Sequence, residues 1–113
     1  MDSELPLFKG TVDMLVLKAL TWGPMHGFGI SQWLDERTRG SLGLDDSSMY
    51  QVLHRLEGRG FVDAKWRVTD NNRRARFYKL TAAGRAQLKT QTATWLRYSE
   101  VVTALLTSRT RTA

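Results

Sequence analysis

The sequence predicts an α+β fold, mainly α: a winged helix-turn-helix followed by one long C-terminal helix suited to pairing two copies. Three observations carry this expectation. Three helix-length apolar patterns come first. Two short stretches of alternating character follow, joined by a turn rich in Asp, Asn and Arg. A final segment then repeats apolar residues every seven positions. Residues 1–80 form the expected DNA-binding unit, and residues 81–113 the expected dimerisation helix and tail.

Residues 1–8 read as a loose arm, because Pro6 disfavours an early helix turn. Thr11 is the expected cap of the first helix, and Asp13 suits the positive end of its dipole. Val12, Met14, Leu15, Val16, Leu17, Ala19 and Leu20 make this helix apolar nearly all round, so it belongs at the centre of the fold. Trp22-Gly23-Pro24 is a turn signal. A second helix is expected to open at Met25-His26-Gly27-Phe28-Gly29-Ile30. It buries Ile30, Trp33 and Leu34 at i, i+3, i+4 and stops at Gly40. His26, before a Gly turn, is placed to satisfy backbone groups.

The third helix carries the most information. Val52, Leu53 and Leu56 recur at helical spacing and bury one side. Ser47, Ser48, Gln51, His54 and Arg55 line the other, with Tyr50 near its edge. Asp45, Asp46 and Ser47 offer oxygens to the free N–H groups of the first turn, and Gly58 and Gly60 end the helix. A short helix with a polar, partly cationic outer face fits the major groove of DNA.

Phe61 to Val68 alternates, with Val62, Ala64, Trp66 and Val68 on one face and Asp63, Lys65 and Arg67 on the other. Thr69 to Arg74 is a turn whose Asp and Asn residues tolerate positive φ. Ala75 to Leu80 is the return strand. Thr81 then caps a helix reaching about Thr107. Leu88, Trp95 and Val102 repeat at seven-residue spacing, and Tyr98 and Leu105 lie three further on. Most of this helix outruns so small a domain, and an uncovered apolar seam calls for a second chain. The tail from Thr107 to Ala113 is expected to fray.

The 113 residues carry a net charge of +6 and no Cys. Residues 65–79 hold Lys65, Arg67, Arg73, Arg74, Arg76 and Lys79 against the single acid Asp70, an electrostatic footprint for a polyanion. Arg73, Arg74 and Arg76, three arginines in four residues, repel one another unless an anion sits nearby. The absence of Cys removes thiol catalysis and thiolate metal sites, and two His residues far apart leave no metal site. Asp45-Asp46 is a helix start rather than a catalytic dyad, since adjacent residues do not face each other on a helix. No nucleophile–base pair or phosphate-cradling Gly loop is present, so neither an enzyme nor a cofactor is expected. No apolar run approaches the roughly 20 residues of a membrane span. The opening Met-Asp-Ser-Glu lacks a signal-peptide core. The expected location is the cytoplasm, with no membrane partner.

Several segments match a known pattern in order. They are Gly10 to Leu20, Gly23-Pro24-Met25-His26-Gly27-Phe28-Gly29-Ile30, Ser48-Met49-Tyr50 with Leu53-His54-Arg55-Leu56-Glu57, and Asn71-Asn72-Arg73-Arg74-Ala75-Arg76-Phe77-Tyr78-Lys79-Leu80-Thr81-Ala82-Ala83-Gly84. Over about residues 5–107 the chain resembles the PadR family of bacterial transcriptional regulators, in its branch with a single late helix. The resemblance implies a homodimeric repressor of a nearby operon that binds double-stranded operator DNA. It also implies release by a small aromatic effector stacked on a Trp of the last helix, which here is Trp95, with Tyr98 and Leu88 as neighbours. Phe28 and Met49-Tyr50-Gln51 depart from the family pattern, the latter by placing Gln51 where many relatives have Pro.

The DNA-contact set is therefore Ser48, Tyr50, Gln51, His54 and Arg55 on the reader helix, with Asn72, Arg73, Arg74 and Arg76 on the wing. Gln and Arg read base edges, and Ser48 and Tyr50 suit phosphates. Trp22, Trp33 and Trp66 read as core or interface anchors. A winged-helix module that turns its basic face to an acidic protein is the alternative reading.

Overall fold

An almost wholly apolar helix has to be covered on every side, and α1 (Thr11–Ala19) accordingly lies at the centre of the computed structural model, which describes residues 10–109 and 111. Val16, Leu17, Ala19 and Leu20 are buried. The expected loose arm, residues 1–8, lies outside the described residues, as do positions 110, 112 and 113 of the expected frayed tail. Thr11 does not cap the helix. The N-cap is Gly10, at φ 86°, with no side-chain cap bond, and Thr11 is the first helical residue. A left-handed entry of this kind favours glycine.

A short 3-10 turn, Leu20–Trp22, leads to β1 (Met25–His26), and α2 (Gly27–Thr38) follows. Met25 and His26 were expected inside the helix. They form a strand because β3 (Arg74–Leu80) offers them an open edge, pairing Met25 with Tyr78 and His26 with Phe77. His26 then serves as N-cap of α2, its Nδ1 accepting the Gly29 N–H at 2.8 Å. Ile30 and Leu34 are buried, Trp33 is half-buried, and the helix ends through left-handed Arg39 and Gly40.

The third helix, α3 (Asp46–Gly58), begins where its oxygens predict, with Asp45 accepting the Ser48 N–H at 2.7 Å. That bond holds the Asp45 carboxyl below its usual pKa. Met49, Val52, Leu53 and Leu56 are buried against α1 and α2. At roughly 1.5–3 kcal/mol per buried large apolar side chain, this stripe is the main force seating α3. One polar contact joins it. The buried Asp13 of α1, 6% exposed, takes a two-pronged hydrogen bond from Arg55. Arg55 Nε donates to Oδ2 at 3.1 Å, and Nη2 donates to Oδ1. Asp13 thus acts as a tertiary partner in addition to its place near the helix dipole.

The hairpin of β2 (Val62–Val68) and β3 makes a three-stranded sheet in the order β1-β3-β2, antiparallel throughout. Val62, Tyr78 and Leu80 close the core. Trp66 and Val68 share that face by alternation, yet both are exposed, so neither is a core anchor. The hairpin simply runs past the helices that cover its base. Trp22 is likewise exposed.

The last helix, α4 (Ala82–Leu106), spans 25 residues, about 37 Å at 1.5 Å each. Thr81 fixes its start. Its hydroxyl accepts the Gly84 N–H at 3.0 Å and donates to the Gly60 carbonyl at 2.7 Å, while its N–H reaches the Phe61 carbonyl at 3.2 Å. Gly84 presses on the same carbonyl, where a Cβ would lie 2.0 Å from the Phe61 oxygen. Leu88 packs against the core.

Gly84→Ala is therefore expected to destabilise the fold by about 1–3 kcal/mol, through forced separation of α4 from the β2 entrance. Gly58→Ala, whose Cβ would meet nothing within 4 Å, should be neutral or stabilising by roughly 0.4–1 kcal/mol. Urea unfolding of both variants checks the contrast. A double-mutant cycle of Asp13→Asn with Arg55→Gln should give a coupling of about 1–2 kcal/mol, below that of a fully buried pair because the Arg55 side chain is 43% exposed. Additive effects would show that the contact contributes nothing to stability.

Candidate nucleic-acid interface

The first half of α3 and the β2–β3 wing face each other across an open cleft. Tyr50 and Met49 line one wall, and Arg73, Arg74 and Arg76 the other, with Phe28 of α2 at the rim. The cleft follows from local structure. The Asp45 cap fixes where α3 starts, and the hairpin register fixes where its arginines fall. Residues paired across the strands are Trp66 with Arg76 and Val68 with Arg74. The turn closes through the Thr69 N–H to the Arg73 carbonyl at 2.7 Å and the Asn72 N–H to the Thr69 carbonyl at 2.9 Å. Asn72 adopts φ 62°, the left-handed conformation anticipated for this turn.

The expected contact residues fall into three groups. Tyr50, Gln51 and His54 are exposed on α3, and Ser48 is half-buried beside the cap. Asn72, Arg73 and Arg74 are exposed at the wing. Arg55 and Arg76 are different, because each already holds a carboxylate. The Arg55 pairing with Asp13 raises its pKa further, so its charge is permanent and its fork points partly inward. Arg76 donates from Nη2 to Glu57 Oε2 at 2.7 Å, and its Nε is buried without a partner among the described residues. The structure thus brings Tyr50, Arg73, Arg74 and Arg76 to one cleft. It sets Gln51 and His54 on the neighbouring outer face, and it ties Arg55 back to α1.

Two features escaped the sequence reading. Asp13 looked like a dipole residue because its partner lies 42 positions away. Trp66 looked buried because period two gives the face of a strand and says nothing of how far cover extends. Arg74 lies over the Trp66 ring at 5.2 Å from its centroid, and Arg67 lies over Phe77 at 4.7 Å. Such a contact draws the cation to the negative face of the ring. Tyr78, buried beneath the cleft, has its phenol pKa raised by desolvation.

On α4, Trp95 and Tyr98 lie with ring centroids 6.5 Å apart. Together with Gly10, Thr11 and Met14 of the α1 end they line a groove of about 740 Å³. Leu88 does not line it, because that side chain turns to the core. Beyond the groove Leu96, Val101, Leu105 and Leu106 are exposed. Among the described residues there is no cluster of metal-ligating side chains and no helix long and apolar enough to cross a membrane.

Comparison with known proteins agrees with this geometry. The structure is similar to a PadR family transcriptional regulator from Eggerthella lenta, with 25% identity, coverage of 89% of this chain and 86% of that one, and a TM-score of 0.77. It shares the fold of smu.1704 from Streptococcus mutans, with 23% identity, coverage of 96% and 98%, and a TM-score of 0.82. An uncharacterized 37.1 kDa protein in transposon TN4556 of Streptomyces fradiae is 36% identical over 86 residues, which span 76% of this chain and 23% of that protein. Residues 16–90 match the transcriptional regulator PadR-like family. The chain therefore belongs to the PadR-like family of transcriptional regulators, a family of regulators rather than enzymes.

Proposed function

We propose that the chain is a homodimeric repressor that binds a palindromic operator, with α3 in the major groove and the wing on the flanking backbone. The observation that carries this reading is the cleft in which the polar start of α3 meets an arginine-bearing wing. Ser48 and Tyr50 suit phosphates, Gln51 and His54 suit base edges, and Asn72 and Arg73 suit the backbone beside them. Arg55 and Arg76 contribute charge and the donors that Asp13 and Glu57 leave free. The chain divides at Thr81, with the DNA-binding unit before it and a dimer arm after it. The arm reading is supported by the exposed run from Leu96 to Leu106, an apolar surface left without cover among the described residues. Two reader helices joined in this way would sit about one helical turn, ~34 Å, apart.

Release by a planar aromatic ligand at Trp95 and Tyr98 fits the same frame. The groove is walled by α1 as well as α4, and α1 grips α3 through Asp13. A ligand that shifts α1 would shift the reader helix with it. The cytoplasm is the location that suits such a regulator.

A duplex taken from upstream of the coding region should bind as a symmetric dimer complex. With roughly six to eight phosphate contacts, affinity should fall about 10³–10⁴-fold between 50 and 200 mM salt. A flat salt response, or full competition by random duplex at equal concentration, would overturn operator binding. Arg73→Ala should weaken binding to all sequences alike and lower the salt slope by about one per phosphate contact removed. Gln51→Ala should instead change base preference at one position of each half-site. Planar aromatic dyes should quench Trp fluorescence saturably, and Trp95→Leu should abolish this while Trp22, Trp33 and Trp66 remain. Quenching that survives the substitution would place the ligand elsewhere.

A further inference from the structure

Among the described residues two buried side-chain polar atoms have no hydrogen-bond partner. Arg76 Nε belongs to the cleft beside α3. The other is Gln91 Oε1, and Gln91 lines the groove between α1 and α4. A carbonyl oxygen shut away from water and left unpaired costs free energy. Leu or Met at this position would fill the same space without that cost. The hydroxyls of Thr90 and Thr94 line the same groove, yet neither donates to the oxygen. The acceptor therefore calls for a donor that arrives with an occupant. Its place is suited to one. Gln91, Trp95 and Tyr98 fall at i, i+4 and i+7 of α4, so the oxygen lies one helical turn before the ring pair. The groove is also uncharged. None of the described residues lining it is Asp, Glu, Lys, Arg or His, whereas the cleft beside α3 is lined by Arg73, Arg74 and Arg76. An ion entering the groove gives up its hydration and meets no countercharge among the described residues.

We propose that Gln91 is the specificity residue of this groove, and that the ligand it admits is a neutral planar aromatic molecule with an N–H or O–H donor on its edge. The inference rests on the ligand-release reading above and adds the ligand's chemistry to it. The ring lies against Trp95 and Tyr98, and its donor meets Gln91 Oε1 one turn earlier along α4. Apolar contact alone discriminates poorly between two flat rings of one shape. A buried acceptor discriminates well, because an isostere without the donor leaves the oxygen unpaired. The groove volume of about 740 Å³ is that of a small-molecule site.

Equilibrium dialysis of the full chain against three tricyclic probes of like outline tests the assignment. Carbazole is neutral with a ring N–H, dibenzofuran is neutral without a donor, and N-methylacridinium is a cation without one. The unaltered protein should bind carbazole about tenfold more tightly than dibenzofuran, and N-methylacridinium more weakly than either. Gln91→Leu should bring carbazole and dibenzofuran to within about twofold of each other, since neither then leaves an oxygen unpaired. Gln91→Glu should keep the preference for carbazole over dibenzofuran and tighten N-methylacridinium by about tenfold. The thermal midpoint of Gln91→Leu should equal or exceed that of the unaltered protein, and a lower one would give the oxygen a structural partner and overturn the assignment. Equal binding of carbazole and dibenzofuran by the unaltered protein, with both lost in Trp95→Leu, overturns the role of Gln91 and leaves the ligand groove standing. Binding of none of the three overturns the ligand groove and the role of Gln91 together. A dimer lost in Gln91→Leu, in a protein that binds no probe, would assign the oxygen to a second copy of the chain.

Discussion

The joint between α1 and α3 decides the usefulness of everything else in the fold. Four apolar side chains of α3 seat it, but an apolar stripe tolerates some rotation and sliding. The Asp13–Arg55 contact does not, because a guanidinium fork meets a carboxylate in only one plane. With that contact made, Gln51 and His54 must face outward and Met49 inward. The pair therefore acts on orientation more than on net stability, as is common when the desolvation of a carboxylate offsets much of its attraction. It also makes α1 a lever. The same nine-residue helix lines the groove by Trp95 at its start and holds the reader helix at Asp13.

The wing answers an electrostatic difficulty. Three arginines in four residues repel one another on an isolated turn. Arg74 and Arg76 share one face of β3, and two local partners draw them apart. Arg76 goes to Glu57 of α3, Arg74 lies over the Trp66 ring, and Arg73 stays in the turn. The arrangement keeps three positive charges close while giving two of the three a local partner. The Arg76–Glu57 contact also fastens the wing to the end of α3, so that cleft width and reader-helix position change together.

The last helix is aimed rather than merely appended. The Phe61 carbonyl receives the Thr81 N–H and leaves no room for a Cβ at position 84. Thr81 caps the helix and ties back to Gly60 in the same stroke. This tight corner sets the angle at which the apolar run from Leu96 onward leaves the body. Any pairing through that run inherits the angle, and with it the separation of two reader helices.

Sequence alone settled most of what depends on near neighbours, the first cap excepted, which fell to Gly10 rather than Thr11. The helices followed from i, i+3, i+4 spacing. The caps at Asp45 and Thr81 followed from side-chain oxygens beside free N–H groups, and the wing from period two interrupted by Asn and Asp. The basic footprint of residues 65–79 needed only counting. Tertiary structure decided what depends on distance along the chain or on the extent of cover. Met25 and His26 became a strand because β3 left an edge open. Arg55 was drawn inward because Asp13 waited on another helix. Leu88 went to the core rather than to the groove, and Trp66 stood exposed because the hairpin outruns the helices beneath it. Local rules assign a residue to a face, but the packing of whole elements determines whether that face meets protein, solvent or a partner.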